Sequence, residues 1–445
     1  MNNNNELNEI FDGNTSLKQL QIDEFIKFKG KEFARIVSEK TYQKILSEQK
    51  NLIQIIKKSS SKVTKMLEKR QGKQDKNIKD KYKLKQYIQL TKQIHDNTDE
   101  TVIKDLIKEL CDLYAYEISD NFSTKFYKVI KIFLLLWLKY IKKTSKFTLH
   151  ISGKLNNIYE IAKHNTIIYT PMHKSHMDSL WIGSALASYN LPPVRYAAGI
   201  HIITSFIRKF FLKKMGAYIV DREEKNNPLY LEVLKQYSIF LIENGIDTLI
   251  FPEGLRSRTG SIGSLKNGLL KTAIDAYLSN DKKYDIVVIP ITLTYEEVPE
   301  DCVFCGDKKR LNFRGYIKNI KDVYIRFCNP IMISEIVNNS NPVVLLGNKI
   351  LSEWKKNVKI LPHHILCKIL VNNNYEIQKN DMENAIEKIV NSLNTRLYKG
   401  ISEDIDSIIN HGMTVLKNKN LISENGDKIK ALNTKIVKYY ANMIS

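Results

Sequence analysis

A chain of 445 residues has room for about three domains of ordinary size and a sizeable apolar core, which excludes a disulfide-stapled miniprotein. Its 43% hydrophobic and 26% charged residues are the balance of a folded globular protein, not of a disordered one. Lys and Arg number 69 against 48 Asp and Glu, and a net charge of +21 calls for an anionic partner: nucleic acid, a membrane surface, an acidic protein or a phosphorylated substrate.

Residues 1–6, with four consecutive asparagines, lack a basic segment followed by an apolar one, so no secretory signal is expected. Five cysteines make no disulfide framework and read as thiols of a reducing compartment. From residue 10 to about 116 apolar positions such as Phe25, Phe28, Phe33, Ile36 and Val37 recur at helical spacing, which predicts a helical region over 1–120. Within it, residues 41–90 hold fourteen Lys and Arg against four Asp and Glu, a net of +10, read as a solvated helical face with a disordered crest near 69–79. The apolar run Ile132 to Leu138 is bounded by Lys131 and Lys139 and falls far short of the roughly 18 to 20 residues that span a bilayer.

From about residue 146 short apolar runs at 166–170, 217–220, 248–251, 286–293 and 323–327 predict buried strands, with helical patterns at 177–189, 230–244 and 269–279 between them. That alternation predicts a mixed, mainly parallel α/β sheet flanked by helices over 121–340, with its functional groups at strand ends. Residues 341–445 return to a helical pattern.

Two segments carry chemistry. The first is His173-Lys174-Ser175-His176-Met177-Asp178, directly after a predicted strand. Positions five apart lie about 140° apart around a helix, so His173 and Asp178 meet only if His173 precedes the helix, with Ser175 as N-cap and Asp178 in its first turn. A carboxylate holding one imidazole nitrogen leaves the other as a general base toward an alcohol; alternatively Asp178 caps the helix and His173 packs. His176 is the weaker histidine of the two. Neither a G-x-S-x-G nucleophile nor a third metal ligand accompanies the pair. The second segment is Phe251-Pro252-Glu253-Gly254-Leu255-Arg256-Ser257-Arg258-Thr259-Gly260. Its arginines are forked donors and its glycines permit close backbone approach, which makes an oxyanion cradle or else a basic surface turn. It lacks the order of a P-loop, and Lys266 and Gly268 follow it. Between the two, a strand ends in Asp221-Arg222, and residues 205–214, SFIRKFFLKK, form an amphipathic stretch suited to a membrane interface or a core rim. Cys302 and Cys305 have metal or redox spacing but no second pair nearby, and read as reduced thiols; His363-His364 has no partner pattern.

In order and spacing these segments resemble the glycerol-phosphate/dihydroxyacetone-phosphate acyltransferase family, over roughly residues 122–334. HKSHMD is similar to that family's H-x4-D block, GAYIVDR to its second, FPEGLRSRTG to its third and IVVIPITLTYE to its fourth. SRTG after the first arginine is more like glycerol-3-phosphate acyltransferases than lysophosphatidic-acid acyltransferases. Two positions depart from the pattern: Asp221 stands where a basic residue is common, and Leu255 where some members have Gly. The resemblance implies that His173, oriented by Asp178, deprotonates the sn-1 hydroxyl of glycerol 3-phosphate for attack on an acyl thioester. It implies that Arg222, Arg256, Ser257 and Lys266 hold the phosphate, with Gly254 in the cradle, and that Glu253 anchors the loop or binds glycerol hydroxyls. It also implies no metal or bound cofactor, with acyl-CoA or an acidic acyl carrier protein supplying the acyl group as cosubstrate.

Acylation of dihydroxyacetone phosphate is the nearest alternative, and acylation of lysophosphatidic acid a more distant one. A nucleic-acid-binding protein accounts for the charge but has no helix-turn-helix, zinc or aromatic RNA-binding motif behind it, so no specific nucleic acid is expected. The lipid product implies peripheral attachment to the cytoplasmic face of an anionic membrane, through basic surfaces and an apolar patch such as residues 206–212.

Overall fold

The computed structural model describes residues 30–47, 51–73, 78–144, 147–153, 155–200, 206–280, 284–306, 321–393 and 404–444. Five helices come first: α1 (Gly30–Ser47), α2 (Asn51–Lys73), α3 (Ile78–Asp96), α4 (Glu100–Ile118) and α5 (Thr124–Thr144). Strands and helices then alternate: β1 (Leu149–Gly153), α6 (Leu155–His164), β2 (Thr166–Pro171), α7 (Asp178–Ser188), β3 (Arg195–Gly199), α8 (Phe206–Lys214), β4 (Ala217–Val220), α9 (Pro228–Glu243), β5 (Thr248–Leu249), α10 (Asn267–Ser279) and β6 (Ile286–Tyr295). A short α11 (Asp301–Phe304), β7 (Val323–Phe327) and β8 (Ile331–Met332) complete the sheet region. After them come α12 (Pro342–Asn357), α13 (Pro362–Asn372), β9 (Glu376–Gln378), α14 (Lys379–Leu393), α15 (Ile405–Asn418), β10 (Ile422–Asn425), β11 (Lys428–Ala431) and α16 (Thr434–Ala441).

The main sheet runs β1-β7-β6-β2-β5-β3-β4, with β8 paired to β6. All neighbours are parallel except β6 with β7 and with β8, so the sheet is mixed and mainly parallel, as the alternation of runs predicts. Every residue of β2 and β6 is buried, the pattern of strands covered by helices on both faces. Along β2 the period of two sends Ile167 and Tyr169 into one apolar core and Ile168 into the opposite one. Sequence reading missed β1, β3 and β8: no residue of β1 is fully buried, β3 offers only Tyr-Ala-Ala as an apolar run, and β8 is two residues long.

The N-terminal helices share their apolar core with the sheet region. Phe33, Val37, Ile107 and Tyr114 share one cluster with Tyr218 of β4 and with Tyr230, Tyr237 and Phe240 of α9. The edge of Phe33 meets Tyr237 and Phe240 at centroid distances of 5.1 and 5.0 Å. Packing is therefore continuous across the boundary expected near residue 120. At the other end, α13, α15 and α16 join the core on one face of the sheet. The region after residue 341 is also not purely helical, since β10, β11 and β9 form a three-stranded antiparallel sheet. Its strands are three or four residues long, too short for a period of two to stand out from helical spacing in the sequence. The crest expected over 69–79 lies partly outside the described residues, and α2 continues to Lys73.

Candidate active site

Because β2, β4, β5 and β6 point the same way, the segments that leave their C-terminal ends gather at one edge of the sheet. His173 follows β2 directly, and the imidazole Nδ1–H donates to Asp178 Oδ2 at 2.9 Å. The same oxygen accepts the backbone N–H groups of Lys174 at 2.7 Å and Ser175 at 2.9 Å, while Oδ1 accepts the Tyr295 hydroxyl. Asp178 is fully buried at the first residue of α7, where the helix dipole favours its charge. Burial and, second, the charge of Asp178 push the Tyr295 phenol far above its ordinary value, so it stays a donor. With Nδ1 fixed as the proton carrier, His173 Nε2 is left as acceptor, and it has no hydrogen-bond partner among the described residues. The ring is stacked on Phe251, centroids 4.2 Å apart.

The expected cap differs in detail. Met177 occupies the cap position of α7, so Asp178 opens the helix and does not lie deeper in its first turn. Ser175 instead accepts the Met177 N–H at 3.1 Å and donates its hydroxyl to Glu300 Oε2 at 2.7 Å, and Glu300 Oε1 takes the His176 N–H at 2.7 Å. Glu300 thus draws the residues before the helix into an extra turn.

The loop after β5 is tied to His173 by its own buried carboxylate. Glu253 Oε2 accepts the His173 N–H at 2.6 Å and Oε1 accepts the Gly263 N–H at 2.8 Å, so this side chain anchors the loop. Ser257 is also tied into this network: its N–H donates to the His173 carbonyl at 2.9 Å and its hydroxyl to the Ser261 carbonyl at 2.7 Å. These two bonds tether the loop to the residue that follows β2. Gly254 sits at φ +72°, a backbone conformation that side chains rarely adopt, under the Lys266 side chain. Lys266 is exposed and its ammonium has no partner among the described residues, though its N–H closes the loop onto the Pro252 carbonyl at 2.7 Å.

Arg222 follows β4 and Arg256 lies in the segment after β5. Partial burial and, second, the charge of Arg256 lower the Arg222 pKa, and no carboxylate among the described residues pairs with Arg222. Arg256 is partly committed, with one nitrogen 3.2 Å from Glu300 Oε1 and its guanidinium over the Phe304 ring. Guanidiniums whose charges act on one another, one of them with no carboxylate partner among the described residues, attract an anion.

Sequence reasoning missed Tyr295 and Glu300, whose partners lie more than a hundred residues away; the only local signal was a polar end, Thr-Tyr-Glu, on an apolar strand. It also missed Lys174, which is buried, donates to the Gly260 carbonyl at 2.8 Å and is lowered in pKa by burial. Gly260, at φ +87°, lies so close to α16 that a Cβ there would come 1.9 Å from the Tyr439 carbonyl oxygen, and Asn442 bonds the Thr259 carbonyl at 2.9 Å. The C-terminal helix therefore presses on the same loop. The thiols of Cys302 and Cys305 are unbridged. Of residues 206–212, Phe210 and Phe211 are exposed; the side chains of 206–208 lie outside the described ones.

Residues 152–294 match the family model described as Acyltransferase. Among similar curated proteins, the glycerol-3-phosphate acyltransferase of Pseudomonas syringae pv. tomato is 28% identical over 261 residues, 56% of this chain and 30% of that protein. The protein of the same name from Pseudoalteromonas translucida is 32% identical over 239 residues, 51% of this chain and 28% of that protein. The matched segment thus spans less than a third of these relatives' length. Among solved structures, the 1-acyl-sn-glycerophosphate acyltransferase of Thermotoga maritima overlaps 58% of this chain and 84% of its own at 15% identity, with a TM-score of 0.32, too distant to bear on the site.

Proposed function

From the premise that residues 152–294 are a domain of the acyltransferase family, we propose that this protein is a glycerol-3-phosphate 1-O-acyltransferase. The observation that carries the reading is the His173–Asp178 pair, its Nε2 without a partner among the described residues, at the sheet edge that also carries Arg222 and Arg256. In this reading Arg222, with Arg256 and Lys266, holds the phosphate of the acceptor. His173 Nε2 takes the proton of the sn-1 hydroxyl as its oxygen attacks the thioester carbonyl. The C–O ester bond forms, the C–S bond breaks, and the imidazolium returns the proton to the departing thiolate. Asp178 holds the base in one tautomer and stabilises the imidazolium; no acyl-enzyme is needed. Positioning the two substrates contributes more than the base itself. No metal or bound cofactor takes part, and the acyl group arrives on CoA or a carrier protein.

The protein works attached to the cytoplasmic face of an anionic membrane. Supporting this, α5 exposes Val129, Ile132, Phe133, Leu136 and Tyr140, a single helical stripe, and has six lysines and no acidic residue along its 21 residues. Phe126 on α5 meets Phe211 of α8 edge-on at 5.4 Å, which joins the exposed Phe210 and Phe211 to that stripe. No helix among the described residues is long and apolar enough to cross a bilayer.

The test is a matrix of assays on the purified protein: glycerol 3-phosphate, dihydroxyacetone phosphate and lysophosphatidate as acceptors, each with a CoA and a carrier-protein thioester. Acyl transfer to glycerol 3-phosphate in preference to the other two is the expected result; transfer to lysophosphatidate alone, or none, overturns the assignment.

A further inference from the structure

Arg222 stands in the sequence Asp221-Arg222-Glu223-Glu224, surrounded by three carboxylates of its own segment, yet it pairs with none of them. The reason lies far upstream in the chain. Arg70, near the C-terminal end of α2, contacts Asp221 Oδ2 at 2.5 Å, Glu224 Oε1 at 3.5 Å and Glu223 Oε2 at 3.5 Å. Asp221 and Glu224 are buried, and Arg70 is largely so. The remaining Asp221 oxygen accepts the Glu223 N–H at 3.0 Å, starting the 3-10 turn that carries Arg222.

We propose that Arg70 is a positioning residue for the acceptor's phosphate: by holding the carboxylates beside Arg222, it keeps that guanidinium free for the anion. This rests on the reading of Arg222 as a phosphate ligand. A buried carboxylate that loses its cation is costly and takes the nearest replacement. For Asp221 that replacement is the adjacent Arg222. Glu224 competes less, because burial first and the neighbouring Asp221 among other causes raise its carboxyl to about 7, so near neutral pH it can take up a proton instead. Asp221 is therefore the group that would withdraw Arg222 from the site. The departure of Asp221 from the family-like pattern then has a counterpart in the basic helical region, which contributes one guanidinium to an otherwise distant site.

The experiment compares Arg70→Met, Arg70→Lys and the double variant Arg70→Met/Asp221→Asn in the full chain. Binding of sn-glycerol 3-phosphate and of inorganic phosphate is measured by calorimetry, alongside acyl transfer. Arg70→Met should weaken both ligands about tenfold or more and raise the acceptor KM equally, with kcat at saturating acceptor within about threefold. The double variant, in which position 221 no longer carries a charge that could claim Arg222, should recover affinity to within about threefold of the unsubstituted protein. Arg70→Lys, a point charge in place of a fork, should fall between. A strut joining helix to sheet would lower Tm without moving KM, and neutralising Asp221 would not restore affinity. Wild-type affinity in Arg70→Met, or a double variant as weak as the single, overturns the proposal. If Arg70→Met does not fold, wild-type affinity in Arg70→Lys or persistent weakness in the double variant does so. Phosphate binding by a protein that transfers no acyl group sinks the acyltransfer reading and leaves the Arg70 comparison intact.

Discussion

Asp178→Asn separates the electrostatic role of the carboxylate from its structural one, because the two side chains are isosteric. Asp178 accepts three N–H groups on one oxygen and the Tyr295 hydroxyl on the other. An asparagine can keep its carbonyl toward the three donors and turn its NH2 to the Tyr295 oxygen, which can accept. Each of the three bonds loses about 1 kcal/mol of charge assistance, offset by no longer burying a carboxylate, so Tm should move by only a few degrees. The tautomer of His173 also survives. What disappears is the attraction between carboxylate and imidazolium: with charge centres roughly 4 Å apart and an effective dielectric near 20, it is about 4 kcal/mol. That corresponds to about a thousandfold in kcat. His173→Ala should lose about 10² to 10⁴-fold, the usual contribution of a general base. Since the pair acts as a unit, the double variant should be no slower than His173→Ala alone. The measurement is single-turnover acyl transfer at saturating substrates, with thermal melts as the folding control. Turnover within threefold of wild type for Asp178→Asn, or losses that multiply in the double variant, would refute the assignment of base and orienting carboxylate.

Arg222→Ala should raise the KM for glycerol 3-phosphate by about 10 to 100-fold, the range of one charge-assisted hydrogen bond to a charged group; a change confined to the acyl donor's KM would assign Arg222 to the donor site. Gly260→Ala should lower both Tm and turnover, because a Cβ at φ +87° would collide with the Tyr439 carbonyl; unchanged melting would show that α16 does not press on the loop. Two histidines make the fold acid-sensitive: burial and, second, Lys174 lower His364 to about 3, and burial followed by the His364 charge lowers His363 as well. Groups held neutral in the folded state contribute stability that is complete above about pH 6.5 and is lost as pH falls below it, by about 1.4 kcal/mol per unit for each. Replacing His364 by Gln should therefore remove about 2 kcal/mol of the loss between pH 7 and 5 in denaturant titrations; an unaltered slope would contradict a neutral buried imidazole.

Local pattern was enough to predict the alternation of buried runs and helices and to single out His173 and Asp178 as residues that could meet, because each is a short-range property: a period, a five-residue spacing. It could not establish what each loop side chain does with its hydrogen bonds. Glu253 and Ser257 resemble ligands by residue type, yet both also tie their loop to His173, a contact only the folded chain brings about. Nor could it connect Tyr295 and Glu300 to the turn before α7, or Arg70 to Asp221, since those contacts join segments more than a hundred residues apart. The net charge of +21 shows the same division. Composition calls for an anionic partner, but the three-dimensional arrangement separates the lysines beside the exposed apolar stripe of α5 from the arginine of α2 buried against the carboxylates of the site. Charge is a sum over residues, whereas its use depends on which counter-charges the fold brings within a few ångströms.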